Sequence, residues 1–297
     1  MNEKEIEKII EAGKIASDVR NFAKTIIKAG MPLLEIAQII ENKIRELKGK
    51  PAFPVNLSIN EIAAHYTPTY NDENLASGLL KVDLGVQIGG YISDTAFSLD
   101  LENSQENKDL IKAAEHAVNE GTKTIQKNSQ TSKIGESIQK TIESKDFSPI
   151  TNLSGHSMEE YKLHSGINIP NIDDKTNTKI KEGLYAIEPF VTLNSASGKV
   201  YDGKPSGIYE LINEKTTRSS IAREVLEIIK KDYKTLPFCS RWLVNQIGTK
   251  ALIGLKQLEE QEIIKQFPQL IESTGQKISQ AEHTVLITKD KKIITTQ

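Results

Sequence analysis

Two aspartates flank a Gly-Gly pair in the segment Leu80-Lys81-Val82-Asp83-Leu84-Gly85-Val86-Gln87-Ile88-Gly89-Gly90-Tyr91-Ile92-Ser93-Asp94-Thr95-Ala96-Phe97-Ser98-Leu99-Asp100, and this segment constrains the chain more than any other. Gly89-Gly90 predicts a two-residue hairpin loop, because both glycines accept the positive φ that a primed turn demands. With that loop, Ile88 faces Tyr91 and Gly85 faces Asp94. Asp83 lies two residues before Gly85, so it shares a face with Asp94 and is its diagonal cross-strand neighbour. The other face carries Val82, Leu84, Val86, Ile88, Phe97 and Leu99, an apolar layer ready to pack. Two carboxylates on one partly buried face repel, and burying either is costly without compensation. A hard divalent cation answers both problems; a solvated face with two aspartates is the plainer alternative.

Three further segments favour the cation. In Asn152-Leu153-Ser154-Gly155-His156-Ser157, a histidine after a glycine offers a neutral imidazole nitrogen. In Gly183-Leu184-Tyr185-Ala186-Ile187-Glu188-Pro189-Phe190, an acidic residue interrupts an apolar strand, where a lone carboxylate is expensive. Ser279-Gln280-Ala281-Glu282-His283-Thr284-Val285 repeats that interruption. The single cysteine, Cys239, excludes an internal disulfide framework and a thiolate cage, so any metal ligands must be oxygen and nitrogen. Such a set suits divalent Mn, Fe, Co or Zn without choosing among them.

Elsewhere the pattern is mixed. Ile6, Ile9, Ile10, Ile15 and Val19 predict a helix from residue 3 to about 28, with Asn2 as its cap. Gly30 and Pro32 introduce a second helix carrying Leu34, Ile36, Ile39, Ile40, Ile44 and Leu47. Strands and hairpins are expected between Phe53 and Leu101, helices near 107–127 and around Ile134–Ile142, and strands at 184–193 and 277–288. Residues 206–270 show helical periodicity, as in Ile221, Val225, Leu226, Ile228 and Ile229, and read as a helical insertion. The stretch 219–270 also admits a winged-helix-like reading, but its eight basic and six acidic side chains are too balanced for a phosphate-binding face. Phe238, Trp242 and Cys239 are expected in the insertion's own core. With 38 basic and 40 acidic residues overall, no global field recruits nucleic acid. No apolar run approaches the roughly 18 residues a membrane span needs. No secretory signal opens the chain, and a cytoplasmic setting is expected.

Taken together, these segments resemble the type 2 methionine aminopeptidases in their short, archaeal-like form. The likeness runs from Phe53-Pro54-Val55-Asn56-Leu57-Ser58-Ile59-Asn60-Glu61-Ile62-Ala63-Ala64-His65-Tyr66-Thr67-Pro68 to the final Glu282-His283-Thr284. It implies an α+β pita-bread fold over residues 1–297, a curved antiparallel sheet covered by helices, with the insertion at about 206–270. It implies metal ligands at Asp83, Asp94, His156, Glu188 and Glu282, with Asp94 and Glu282 bridging two divalent ions, Asp83 completing one and His156 with Glu188 the other. His65 and His164 would contact substrate, and Glu188 would also shuttle a proton. By weaker local similarity Phe53, Pro54, Leu163, Phe267 and Leu270 would wall the methionine side chain, Phe267 and Leu270 closing one side from the insertion. Glu159 and Glu160, between His156 and His164, are more acidic than the family pattern. His116 and His283 are assigned to structure.

The resemblance further implies removal of the initiator methionine from nascent proteins and peptides, with a small second residue favoured. The nucleophile would be a hydroxide shared by the two ions, attacking the first peptide carbonyl. A monomer is expected, with ribosome association left open and no nucleic acid or membrane as partner. Two rivals share the fold. A non-catalytic binding relative would lack metal ligands, whereas all five positions are present here. Prolidase- or creatinase-like enzymes usually carry a separate amino-terminal domain, whereas here the helical pair runs almost directly into the substrate segment.

Overall fold

The computed structural model describes residues 1–297. Helix α1 (Glu3–Ile26) begins in a reciprocal cap: Asn2 Oδ1 accepts the Glu5 N–H at 3.1 Å, and the Glu5 carboxylate accepts the Asn2 N–H at 2.8 Å. Gly30, at φ 83°, turns the chain into α2 (Leu33–Glu46), with Pro32 at the N-cap. The strands Leu79–Ile88 and Tyr91–Asp100 form the expected hairpin, with Ile88 opposite Tyr91 and Gly85 opposite Asp94. Gly89 and Gly90 both take positive φ, 57° and 92°, as the primed turn requires. Val82, Leu84, Val86 and Phe97 from the hairpin's back merge with Ile15, Val19, Ile36, Ile40 and Ile44 in one core. Each such side chain contributes roughly 1.5–3 kcal/mol on burial.

A second layer repeats this arrangement. Strand Gly183–Ile187 lies between His283–Ile287 and Ser154–Met158, all antiparallel. Helices α3 (Gln105–Thr124) and α4 (Thr131–Glu143) cover it through Leu110, Ala117, Ile134 and Ile138, packed on Tyr185, Ile187, Val285 and Ile287. The layers are stitched at the hairpin's second strand. Glu282 N–H donates to Ala96 O at 3.0 Å, and Ser98 Oγ donates to Gln280 O at 2.8 Å. Thr284 Oγ1 accepts the Asp94 N–H at 2.7 Å and donates to Asp94 O at 2.8 Å. The result is a curved antiparallel surface with helices outside, the pita-bread arrangement. No helix is long and apolar enough to cross a membrane.

The segment 206–270 differs from the helical reading at both ends. Strands Val200–Leu211 and Ile264–Glu272 pair with each other, and Phe238–Cys239 adds to the first. Neither Ile208-Tyr209-Glu210-Leu211 nor Ile264-Lys265-Gln266-Phe267 carries a clean two-residue period; pairing with each other, Tyr209 opposite Gln266 and Leu211 opposite Ile264, draws both into strands. Helices α5 (Ser220–Ile228), α6 (Ser240–Ile247) and α7 (Lys250–Glu260) fill the middle, and a π-helical turn, Ile229–Tyr233, extends α5. Val225, Phe238, Cys239, Trp242, Leu243 and Leu258 make the segment's own core.

Gly155 fixes how closely strand Ser154–Met158, which carries His156, approaches strand Gly183–Ile187: a Cβ there would lie 2.2 Å from the Ala186 carbonyl oxygen. Backbone cannot yield as a flexible side chain does. Gly155→Ala is expected to cost about 1–3 kcal/mol, read as a lower urea midpoint at unchanged m-value.

Candidate metal centre

The hairpin's inner face presents Asp83 and Asp94 from neighbouring strands, in the diagonal relation that the turn dictates. His156 lies within strand Ser154–Met158. Glu188 follows strand Gly183–Ile187 and Glu282 precedes His283–Ile287. Because His283 pairs with Ile187, the two glutamates leave the sheet side by side. Ligand atoms of Asp94, His156 and Glu282 all lie within 4.8 Å of one another. His156 Nε2 is 3.8 Å from Asp94 Oδ2 and 3.7 Å from Glu188 Oε1. Asp83 and Glu188 line the same cavity, whose open space is about 530 Å³.

Asp94, His156 and Glu282 are only 3%, 5% and 2% exposed, so charge here is poorly solvated. Burial raises the Asp83 carboxyl to about 7. Burial, followed by the Asp83 and Glu188 charges, raises Asp94 well above the carboxylate range. Burial and then Asp83 do the same to Glu188; burial and the Asp94, Glu188 and Asp83 charges do so to Glu282. Burial, reinforced by His164, lowers the His156 imidazole to about 3 and so leaves it a neutral ligand nitrogen. Asp83 Oδ1 and Asp94 Oδ1 are buried and accept no hydrogen bond. Four mutually repelling carboxylates, two orphaned oxygens and a neutral imidazole fit divalent cations that take oxygen and nitrogen ligands.

Two more histidines stand beside this group. The His164 ring meets His156 edge to face, centroids 4.3 Å apart, and burial with the His65 charge lowers its pKa to about 4. His65 has φ 63°, which a non-glycine residue seldom adopts, and its ring packs edge-on against Phe267 at 5.4 Å. Burial lowers its pKa as well. His65 Nδ1 lies 3.1 Å from the Pro268 carbonyl oxygen. A carbonyl only accepts, so Nδ1 carries the proton and Nε2 keeps its lone pair.

Phe53, Leu163 and Phe267 line the cavity as the sequence suggests; Pro54 and Leu270 do not. Residues three apart on a strand fall on opposite faces, and Leu270 pairs with Ala64 and packs on a small cluster with Ile150 and Phe190 instead. Pro54 is buried, its carbonyl accepting from Asn56 Nδ2 at 2.8 Å. Asn56, Ala64, Ile208 and Pro237 also line the cavity and escaped the sequence reading. Asn56 sits directly opposite Asp83, a pairing that no local pattern announces. Glu159 and Glu160 line a separate cavity with Met1 and Tyr91. His116 is exposed on α3, and His283 Nδ1 contacts Thr296 Oγ1 at 2.8 Å and Arg20 at 3.1 Å.

Residues 7–289 match the profile of metallopeptidase family M24. A methionine aminopeptidase of Methanocaldococcus jannaschii is 47% identical over 98% of each chain. Among solved structures, a thermophilic Arx1 aligns with a TM-score of 0.84 at 18% identity, covering 99% of this chain and 91% of that one. A methionine aminopeptidase from Thermotoga maritima aligns at 0.71 and 21%, covering 100% and 98%.

A carboxyl whose pKa is higher in the folded than in the unfolded chain stabilises the fold below its ordinary value of 3.8, and that contribution is lost as pH rises through about 7 for Asp83. Metal-free protein is therefore expected to lose stability from these groups over that window. The melting-temperature gap between metal-loaded and chelated protein should be wider at about pH 8 than at about pH 5.5. An equal gap at both would contradict the burial of these carboxylates.

Proposed function

Because the chain belongs to metallopeptidase family M24, we propose that the five converging side chains are the metal ligands of an aminopeptidase whose substrate contacts come from His65 and His164. Across its whole length the chain is akin to methionine aminopeptidases, and its activity is the metal-dependent hydrolytic removal of N-terminal methionine from nascent chains and peptides. In our reading Asp83, Asp94, His156, Glu188 and Glu282 hold two divalent ions. The observation that carries it is the convergence of four carboxylates and a neutral imidazole, from segments far apart in sequence, on one cavity. Such ions supply Lewis acidity toward the scissile carbonyl and acidify water.

The remaining chemistry belongs to the side chains. His65, protonated at Nδ1, accepts the peptide N–H beyond the scissile bond at Nε2. Neutral His164 donates to the scissile carbonyl oxygen as negative charge develops there. Glu188, which lines the cavity beside His156, moves the proton from the attacking water to the leaving amine. Phe53, Leu163 and Phe267 receive the methionine side chain, and crowding beside the ligands favours a small second residue. We read residues 1–297 as one catalytic domain, with the segment 206–270 closing one side of the cavity through Ile208, Pro237 and Phe267. All five candidate ligands belong to one chain, so the site needs no second copy, and we read the protein as a monomer. We place it in the cytoplasm, acting on chain ends as they leave the ribosome.

Metal-stripped protein should release methionine from Met-Gly-Met-Met, but no proline from Pro-Gly-Met-Met, only after Mn, Fe or Co is restored. Glu282→Ala should abolish release, and His164→Ala should lower kcat roughly 10²–10³-fold. No release with any metal from folded protein would refute the reading.

A further inference from the structure

A buried ion pair outside the cavity joins α2 to α6. Glu41 is 2% exposed and Arg241 1%, and their side chains meet in a two-pronged contact, Nη1 to Oε2 at 2.8 Å and Nη2 to Oε1 at 2.7 Å. Trp242 Nε1 adds a donation to Glu41 Oε2 at 2.8 Å, and the Val55 N–H reaches Oε1 at 3.4 Å. The guanidinium's remaining edge, Nε, donates to the Pro68 carbonyl at 3.0 Å. Thr67 Oγ1 donates to the Val55 carbonyl at 2.8 Å and locks the two segments together. Val55 lies two residues after Phe53 and Pro68 three after His65, both of which line the cavity.

Left-handed backbone at a residue with a side chain costs of order 1–3 kcal/mol and persists only where the surroundings over-determine it. His65 is such a residue. Its ring is fixed by Pro268 O and Phe267; its backbone is followed within three residues by the carbonyl that Arg241 grips. We propose that Arg241, oriented by Glu41, is a positioning residue for His65: the ion pair holds the 65–68 segment so that His65 faces the substrate. This rests on the reading above in which His65 contacts the peptide. A lysine could not replace the arginine, because one ammonium cannot fork onto a carboxylate and also reach Pro68 in the opposite direction. A buried pair of this kind contributes little net stability compared with apolar isosteres, yet removing one partner strands a buried charge.

The test is therefore a variant that removes both charges, Glu41→Gln/Arg241→Met, assayed beside His65→Ala and the triple combination. Melting temperature and Mn titration by calorimetry verify the fold and the metal ligands, none of which lies on these segments. The double variant should bind Mn like the unaltered protein and lose about 10–100-fold in kcat/KM on Met-Gly-Met-Met, the scale of a misplacement near 1 Å. In the His65→Ala background it should add no further loss, the non-additivity expected of residues acting through one another. Full additivity, or a kcat/KM within about twofold of the unaltered protein while His65→Ala is crippled, would overturn the inference alone. Unimpaired His65→Ala would overturn the substrate reading and the inference with it. Should the double variant not fold, Arg241→Lys keeps the buried charge compensated. It should show a smaller loss that again vanishes in the His65→Ala background, and additivity there would overturn the inference equally.

Discussion

Mutual repulsion among four carboxylates is the constraint that the rest of the molecule has to overcome. Asp83, Asp94, Glu188 and Glu282 each raise a neighbour's pKa or have their own raised, and burial adds to every one. Nothing in the site itself drives these segments together. That work falls to the apolar backs of the same strands, where Val82, Leu84 and Val86 seal against α1 and α2, and Tyr185, Ile187, Val285 and Ile287 against α3 and α4. Alternation makes this possible, since each strand carries its charge on one face and its packing energy on the other. Lys81, two residues before Asp83 and 1% exposed, serves the same end. Its ammonium donates to Asn60 O at 2.8 Å and Ile278 O at 2.9 Å, tying together segments that lead to His65 and Glu282.

The hairpin was legible because a Gly-Gly loop and a two-residue period determine register without reference to the rest of the chain. Its turn, its pairing and its two faces follow from residues 80–100 alone, and the structure has them all. Glu188 and Glu282 were visible as acidic interruptions of apolar strands and His156 as a histidine after a glycine, and the family likeness supplied their common purpose. The wall of the cavity was legible only in part. Phe267 and Leu270 cannot share a strand face, which period-two geometry could have flagged, whereas Ile208 and Pro237 reach the cavity through the fold of the 206–270 segment and carry no motif. Asn56 faces Asp83 through a pairing with strand Asn56–Ile59 that no turn announces.

Glu41 shows where a signal existed but was ambiguous. It falls on the buried stripe of α2 with Ile36, Ala37, Ile40 and Ile44, a position where a carboxylate demands a partner. That partner, Arg241, is 200 residues away, beside Trp242 and Leu243 of a different core. Helical periodicity exposes the demand, and only the tertiary fold exposes how it is met. Lys81 is parallel: a lysine on the face of a strand that also carries Asp83 signals burial with compensation, but its carbonyl partners come from two other segments.

In the proposed site, metal holding and substrate shaping fall to different parts of the chain. All five candidate ligands come from the curved sheet and its immediate ends, where backbone and hydroxyl contacts such as Thr284 on Asp94 fix them. Ile208, Pro237 and Phe267 come from the segment that carries α5, α6 and α7, which has a core of its own. That segment joins the rest of the molecule by strand pairing, Leu270 with Ala64, by the Pro268 carbonyl on His65, and by further directional contacts: Arg241 and Trp242 on Glu41, Arg241 on Pro68, and Thr235 Oγ1 on the carbonyl of Tyr161, in the loop that leads to His164. The contacts at Pro68 and Tyr161 end three residues from His65 and His164, Glu41 in turn accepts from the Val55 N–H near Phe53, and none ends on a candidate metal ligand. In the proposed site the segment's influence therefore reaches His65, His164 and the pocket wall, and none of the five candidate ligands directly.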